Sequence, residues 1–256
     1  MSAKKSFHGW LLPVLVACVA MWPTPNYAQT SGVDPDAVNL LRRSTDYLAG
    51  MKQFNFVSDT SIEAVLDTGQ KLQFDHRVSV SVQRPNKMRA ERTGELITQV
   101  LYYDGKSLTM DLPENGYHAT VEAPATIEAM LDFARDKFNV IAPGADLIYN
   151  NSFHNLTDGL TSAMIVADSV VNGVLCDHIA FRNAEVDWQI WIQKGDKPLP
   201  RKFVVTSKRM AAAPEFIAVI SEWNPAPKLN DATFRYVPAK DSRAIEFIPV
   251  AAAATK

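Results

Sequence analysis

Residues 54–83 read FNFVSDTSIEAVLDTGQKLQFDHRVSVSVQ. In the second half, three valines alternate with serines over residues 78–82, and a period of two residues is that of a β-strand with one apolar face. Thr68-Gly69 separates the two halves, and glycine favours a turn because it adopts positive φ at no steric cost. The stretch therefore predicts a long antiparallel hairpin with strands near 54–66 and 72–83.

Further segments with strand period follow at the spacing of hairpins. They lie at residues 87–92, 96–103, 107–111, 161–171, 174–182, 186–193, 201–210 and 216–223. Asp104-Gly105 supplies the positive φ that a tight hairpin turn requires. Phe234 and Tyr236 allow one more short strand, so the sequence predicts a mainly β fold of about ten to eleven strands.

Two segments have helical spacing instead. Asp34-Pro35 is a favourable helix start, because Asp accepts a backbone N–H as N-cap and Pro needs no donor at the first helical position; it predicts a helix over 35–51. After Pro124, apolar side chains recur on one stripe and predict a second helix over 124–139. The stripe contains Ile127, Met130, Leu131, Ala134 and Phe138.

The N-terminus has the pattern of an export signal. Lys4 and Lys5 precede an uncharged run over residues 10–22, and Ala28 is a small residue suited to cleavage. The run is shorter than the ~20 apolar residues that a transmembrane helix needs, and no second run of that length follows. We therefore predict that residues 1–28 are a signal peptide and that the mature chain is periplasmic, soluble and not transmembrane.

Two further expectations concern the ends of the chain. Leu15-Val16-Ala17-Cys18 loosely fits a lipid-attachment pattern, and an alternative is a chain tethered to the membrane through a lipidated Cys18. Residues 29–240 are expected to form a single domain, and the alanine-rich segment 241–256 a disordered C-terminal tail.

The charge of the mature chain argues against nucleic acid as a partner. Removing residues 1–28 takes away two of the 26 basic side chains and none of the 28 acidic ones, which leaves a net charge of −4. Phosphate binding requires clustered basic surface, and this chain is slightly acidic.

Catalytic and metal-binding patterns are scarce. The histidines that remain are His76, His118, His154 and His178, and no two of them have the three- to five-residue spacing of a helical metal pair. Cys176 and His178 share a strand face, but a lone Cys/His pair is a weak nucleophile signature and an inert buried thiol is favoured. The sequence thus predicts no enzyme, no cofactor and no metal site.

Large apolar side chains at strand period are the most distinctive feature of the C-terminal half. Trp188, Ile190 and Ile192 share one face of a strand, whereas Trp191 faces the other way and is expected to pair with Phe203 and Val205. Such a pattern indicates either an ordinary sandwich or barrel core, or a curved sheet whose apolar face is closed by helices.

Several segments resemble a known family. They are VQRPNKMR at 82–89, YYDGKSL at 102–108, NGVLCDHIAF at 172–181, DWQIWI at 187–192 and GDKPLPR at 195–201. The chain resembles, over about residues 35–237, a family of predicted periplasmic proteins of unknown function placed in the lipoprotein-localisation (Lol) carrier superfamily.

The resemblance implies an open, strongly curved antiparallel half-barrel with helices closing its concave side. It also implies non-catalytic binding of an acyl chain, lipid or lipoprotein in an apolar cavity, with an envelope sensor or assembly module that binds a protein partner as the alternative. In the carriers an early-strand arginine helps to hold the lid helix, and Arg84, Arg89 and Arg92 are candidates here. The expected cavity-lining residues are Val78, Val80, Met88, Tyr103, Met130, Leu131, Phe138, Trp188 and Ile190.

Overall fold

The structure is a computed structural model, and it describes residues 32–250. Within this range the strands are β1 (Gln53–Val65), β2 (Lys71–Gln83), β3 (Lys87–Gly94), β4 (Gln99–Tyr103), β5 (Ser107–Leu112), β6 (Tyr117–Glu122), β7 (Ser162–Val171), β8 (Val174–Arg182), β9 (Val186–Gln193), β10 (Pro200–Ser207), β11 (Glu215–Asn224) and β12 (Arg243–Ile245). The helices are α1 (Pro35–Gly50), α2 (Ile127–Phe138), α3 (Ser152–Thr157) and α4 (Asp231–Phe234), with a 3-10 turn at Ala145–Leu147.

All twelve strands of the described residues lie in one open, curved sheet. Its order is β12-β6-β5-β4-β3-β2-β1-β11-β10-β9-β8-β7. Two antiparallel meanders, β1 to β6 and β7 to β11, are therefore joined where β1 pairs with β11, from Asn55 opposite Asn224 to Ile62 opposite Phe216. The prediction of a mainly β, open antiparallel half-barrel is confirmed, with β12 running parallel to its neighbour β6.

The hairpin predicted from residues 54–83 forms the centre of this sheet. β1 and β2 pair over 13 residue positions, from Gln53 opposite Gln83 to Val65 opposite Lys71. Gly69 has φ +82° in the turn, and its N–H donates to the Leu66 carbonyl oxygen at 2.8 Å.

Both long helices cover the same face of the sheet. The Asp34 carboxylate caps α1 by accepting from the N–H of Asp36, and Leu41 of α1 packs into a core with Ile179 and Ile190. The Thr126 hydroxyl caps α2, whose apolar stripe packs on β1 to β5. The helices predicted over 35–51 and 124–139 thus close the concave side, as expected.

The strand count and the C-terminal segment need correction. β6 was not predicted, because its sequence YHATVE is mostly polar, and the structure has twelve strands rather than ten or eleven. Phe234 lies in α4 and not in a strand; its side chain is buried after a capping box at Asn230. The predicted disordered tail over 241–256 is ordered at β12, which gains backbone partners from the sheet edge at β6.

The prediction that Phe203 and Val205 pair with Trp191 was also wrong. In the register, Phe203 lies opposite Ile190 and Val205 opposite Trp188, so both belong to the face that the helices cover. Trp191 lies opposite Lys202, whose ammonium group is 4.7 Å from the centre of the indole ring.

Some expectations fall outside the described part of the chain. The signal peptide at 1–28, the alternative lipidation of Cys18 and residues 251–256 of the tail lie beyond residues 32–250. The assignment of 29–240 to one domain stays a prediction. Among the helices within 32–250, none is long and apolar enough to cross a bilayer.

Candidate functional site

An apolar cavity of about 180 Å³ lies between the concave face of the sheet and the segment that contains α2 and the chain after it. The sheet contributes side chains from β1, β2, β3, β4, β10 and β11, so both meanders meet at this site. The aromatic and aliphatic lining from the sheet is Phe56, Ile62, Val78, Val80, Met88, Ala90, Leu101, Phe203, Phe216, Ala218 and Ile220.

The structure brings four of the nine expected residues together at the cavity: Val78, Val80, Met88 and Leu131. Tyr103 and Met130 are fully buried in the packed core beside it instead. The Tyr103 hydroxyl donates to the Pro124 carbonyl oxygen at 2.5 Å, so it fixes the start of the α2 segment. Tyr103 and Met130 therefore pack beside the cavity rather than line it.

Phe138, Trp188 and Ile190 are the remaining expected residues. The Phe138 ring lies between Phe133 and Phe247, at 5.3 and 4.8 Å between ring centres. Trp188 stacks on Phe181 at 4.0 Å and, with Ile190, belongs to the core under α1. The α1 half of the concave face is therefore filled by close-packed side chains, and the open space lies in the α2 half.

Sequence reasoning missed the wall from β10 and β11 and the chain that covers the cavity. Residues 139–147, here termed the cover loop, contribute Val140, Ile141, Ala142, Pro143, Gly144, Ala145 and Leu147 to the lining. The apolar composition of this loop was its only sequence signal. Phe203, Phe216 and Ala218 reach the site through the β1–β11 pairing, which joins positions more than 150 residues apart.

The cover loop is held by local bonds. Its backbone N–H groups donate to carbonyl oxygens of residues 134–145. The Val140 N–H donates to the Ala134 carbonyl oxygen and the Leu147 N–H to the Gly144 carbonyl oxygen, each at 3.1 Å. Ile141 lines the cavity although 71% of its surface is exposed. Gly144 faces the Phe216 ring, because a Cβ built on this glycine would lie 3.5 Å from it, and both residues line the cavity.

Arg84 fastens the other side of the α2 segment. Its guanidinium donates to the Ile148 carbonyl oxygen at 2.6 Å and lies 3.4 Å from the Glu128 carboxylate. Glu128 also accepts from the N–H of Asn150 at 3.1 Å. Of the three candidate arginines, Arg84 is thus the one that ties a strand end to α2 and to the chain after the cover loop.

Polar groups are few in the lining, and most are satisfied. The Ser58 hydroxyl donates to the Val219 carbonyl oxygen and the Thr60 hydroxyl to the His76 carbonyl oxygen, each at 3.2 Å. Arg92 also lines the cavity, and its buried Nε has no hydrogen-bond partner among the described residues. The interior is therefore suited to an apolar group, and two charged residues, Arg92 and Glu91, lie at its boundary.

Cys176 and His178 each contact other groups. Burial raises the pKa of the Cys176 thiol, whose Sγ donates to the Val174 carbonyl oxygen at 3.4 Å. The His178 ring stacks on Trp191 at 3.9 Å, and its Nε2 lies 2.9 Å from the Gln189 amide oxygen. Within residues 32–250, no group of three His, Cys, Asp or Glu side chains is arranged to hold a metal ion.

The fold and the site together define a half-barrel with helices over an apolar cavity. The family described as "Predicted periplasmic protein (DUF2092)" matches residues 37–248, and the chain belongs to this family. The resemblance to a family of predicted periplasmic proteins is thereby confirmed. No curated protein matches the chain significantly.

Solved structures with a similar course of the chain come from several bacteria. An uncharacterised conserved protein from Thermus thermophilus is 12% identical with a TM-score of 0.48, covering 82% of this chain and 99% of its own. The lipoprotein LppX of Mycobacterium tuberculosis has the same identity and TM-score, covering 77% of this chain and 100% of its own. A LolA superfamily protein, NE2245 from Nitrosomonas europaea, is 10% identical with a TM-score of 0.38, covering 78% and 97%.

Proposed function

We propose that this protein is a non-catalytic periplasmic binding protein that holds an acyl chain, as part of a lipid or a lipoprotein, in the cavity beneath α2. The observation that carries the proposal is open space on an otherwise close-packed concave face, bordered by aliphatic and aromatic side chains from both meanders. Val78, Val80, Met88 and Leu131 are proposed to contact the chain.

The size of the cavity sets how much of a ligand it encloses. A cavity of about 150 Å³ accommodates benzene, so the 180 Å³ found here encloses about seven carbon atoms. At ~0.8 kcal/mol per buried methylene, this is worth about 5–6 kcal/mol, enough for reversible binding and release. A longer chain would extend from the open side of the cavity.

Access is proposed to occur at the cover loop. Its own hydrogen bonds are local, so it can lift from the sheet without breaking a backbone bond to a strand. Arg84 keeps α2 and Ile148 in place on the opposite side. The loop would then open as a flap while the rest of the α2 segment stays seated.

The proposed location follows from the family and from the N-terminal pattern. We propose that residues 1–28 are removed on export and that the protein is soluble in the periplasm, with a lipidated Cys18 as the alternative. The intact mass of the exported protein distinguishes the two states, because diacylation of Cys18 adds the mass of its lipid and retains that residue.

Native mass spectrometry of protein purified from its periplasm tests the proposed binding. We expect an adduct with the mass of an acyl-chain lipid, which Ala90→Phe removes because the new ring fills the cavity. Ala180→Phe is the matched control, since Ala180 lies between Ile179 and Phe181 and faces away from the helices. Absence of any adduct, together with no binding of a fluorescent fatty acid, would overturn the proposal.

A protein partner is the second candidate function, and the β7–β8 end of the sheet favours it. β7 is the last strand in the sheet order, and Ile165, Val170 and Leu175 expose 42%, 65% and 49% of their surface there. A sheet edge with exposed apolar side chains can add a strand from a partner. Capture of one envelope protein by a ligand-free chain, abolished by Val170→Asp, would favour this role over lipid binding.

A further inference from the structure

Arg92 lies on the cavity face of β3. Side chains alternate along a strand, so Arg92 shares a face with Met88 and Ala90, whereas the side chains of Arg89 and Glu91 share the other, although Glu91 also borders the cavity. Arg89 and Glu91 pair with each other at 2.7 Å, which neutralises that side of the strand. Arg92 is thus the basic side chain of β3 that faces the cavity.

The guanidinium of Arg92 has no anionic partner in the part of the chain that the structure describes. It forms no ion pair with any carboxylate of residues 32–250, and its Nε is buried without a hydrogen bond. Arginine carries five N–H donors in a fixed fork and stays protonated in proteins. The Arg92 side chain is only partly buried, so its remaining N–H groups can reach an anion at the rim of the cavity, and such an anion would give the buried Nε region a charge partner.

A second nitrogen without a partner lies nearby. His76 is opposite Gly94, and a Cβ at Gly94 would lie 2.5 Å from the His76 ring, so glycine makes room for that ring. The His76 Nδ1 is buried and has no hydrogen-bond partner among residues 32–250. Burial, and then the charge of Arg92, lower the pKa of His76, which keeps this histidine neutral beside the guanidinium.

We propose that Arg92 binds the anionic headgroup of an amphiphile whose single acyl chain occupies the cavity, and that the site selects anionic over neutral amphiphiles. This inference rests on the proposed function, because it needs the acyl chain in the cavity. The fork geometry of the guanidinium suits a carboxylate or a phosphate, each by two parallel N–H···O bonds.

The experiment compares ligands of one chain length and two matched variants. Dodecanoate, dodecyl phosphate and dodecanol are titrated by calorimetry into ligand-free wild type, Arg92→Met and Arg89→Met. We expect Arg92→Met to weaken binding of an anionic ligand by about tenfold or more, because a hydrogen bond to a charged group is lost. Binding of dodecanol should be unchanged by either substitution, and Arg89→Met should leave all three ligands unaffected.

The outcomes separate this inference from the proposed function. If wild type binds dodecanoate, dodecyl phosphate and dodecanol equally, and Arg92→Met alters none of them, the headgroup role of Arg92 is wrong while acyl binding stands. If wild type binds none of the three, the proposed function itself fails. The tighter of the two anionic ligands identifies a fatty acid or a phosphate headgroup as the source.

Thermal unfolding of the ligand-free variants provides the remaining check. Met is close in size to the stem of Arg and removes an unpaired charge, so Arg92→Met should raise the midpoint of unfolding and lose the increase that dodecanoate gives wild type. A lowered midpoint for Arg92→Met, restored by Arg92→Lys, would show that the charge serves the fold and would overturn the proposal.

Discussion

Truncation of Leu131 separates a ligand cavity from an ordinary core. Leu131 and Met130 are neighbours on α2, and 8% and 0% of their surfaces are exposed. Leu131 lines the cavity, whereas Met130 packs only against protein. Alanine is the best helix former, so substitution by alanine leaves the helix intact at both positions. Leu131→Ala should therefore remove contacts with the ligand, whereas Met130→Ala should remove contacts within the protein.

The magnitudes follow from what each side chain touches. Truncating a fully packed Leu or Met costs ~2–5 kcal/mol in unfolding free energy, so Met130→Ala should fall in that range. Leu131→Ala should cost below ~2 kcal/mol in the ligand-free protein, because this side chain already borders 180 Å³ of open space. Lost contacts with a bound chain are worth about 1–2 kcal/mol, which weakens binding about five- to thirtyfold.

Two measurements decide the outcome. Denaturant melts give the unfolding free energy of wild type, Leu131→Ala and Met130→Ala without ligand. Titration with a fluorescent fatty acid gives the affinity of each protein. A loss of stability in Leu131→Ala as large as that of Met130→Ala, with unchanged affinity for the fatty acid, would refute the reasoning.

Three further predictions concern stability, each measured by denaturant melts. Arg84→Met should lower the unfolding free energy by about 2–4 kcal/mol, because it leaves Glu128 without its cation. A loss below about 1 kcal/mol would contradict the role of Arg84 in fastening the α2 segment. Gly94→Ala should cost about 1–3 kcal/mol, since a Cβ would lie 2.5 Å from the His76 ring, whereas Gly50→Ala, with nothing within 4 Å, should cost nothing. Burial lowers the pKa of His76 below its ordinary 6.5, so the unfolded state binds more protons than the folded state. The unfolding free energy should therefore fall as the pH drops below about 6.5, and His76→Gln should flatten this dependence between about pH 7.5 and pH 5.5.

Local periodicity was sufficient to predict much of the sheet. The β1–β2 hairpin and both long helices follow from alternation, a turn glycine and the Asp34 cap, all of which lie close together in the sequence. The strands β6 and β12 were missed because their residues are polar or few, and neighbouring backbone rather than sequence pattern makes them strands.

The candidate site depended on longer-range contacts. Val80 and Leu131 line the cavity, and the sequence pattern places each of them on the apolar face of its own element. Trp188 has the same sequence signal, yet α1 packs over it, and only the tertiary structure separates filled from open parts of the concave face. The lack of a partner for Arg92 is likewise a property of the folded chain.

The position of a bound acyl chain is the most direct measure of the central claim. A fatty acid with a spin label near its methyl end broadens the NMR signals of nearby methyl groups in the methyl-labelled protein. We expect broadening at Val78, Val80 and Leu131, which line the cavity, and sharp signals at Ile179, which lies in the closed core under α1. Broadening confined to the exposed Val170 at the sheet edge, or no broadening at any methyl group, would contradict acyl-chain binding in the cavity.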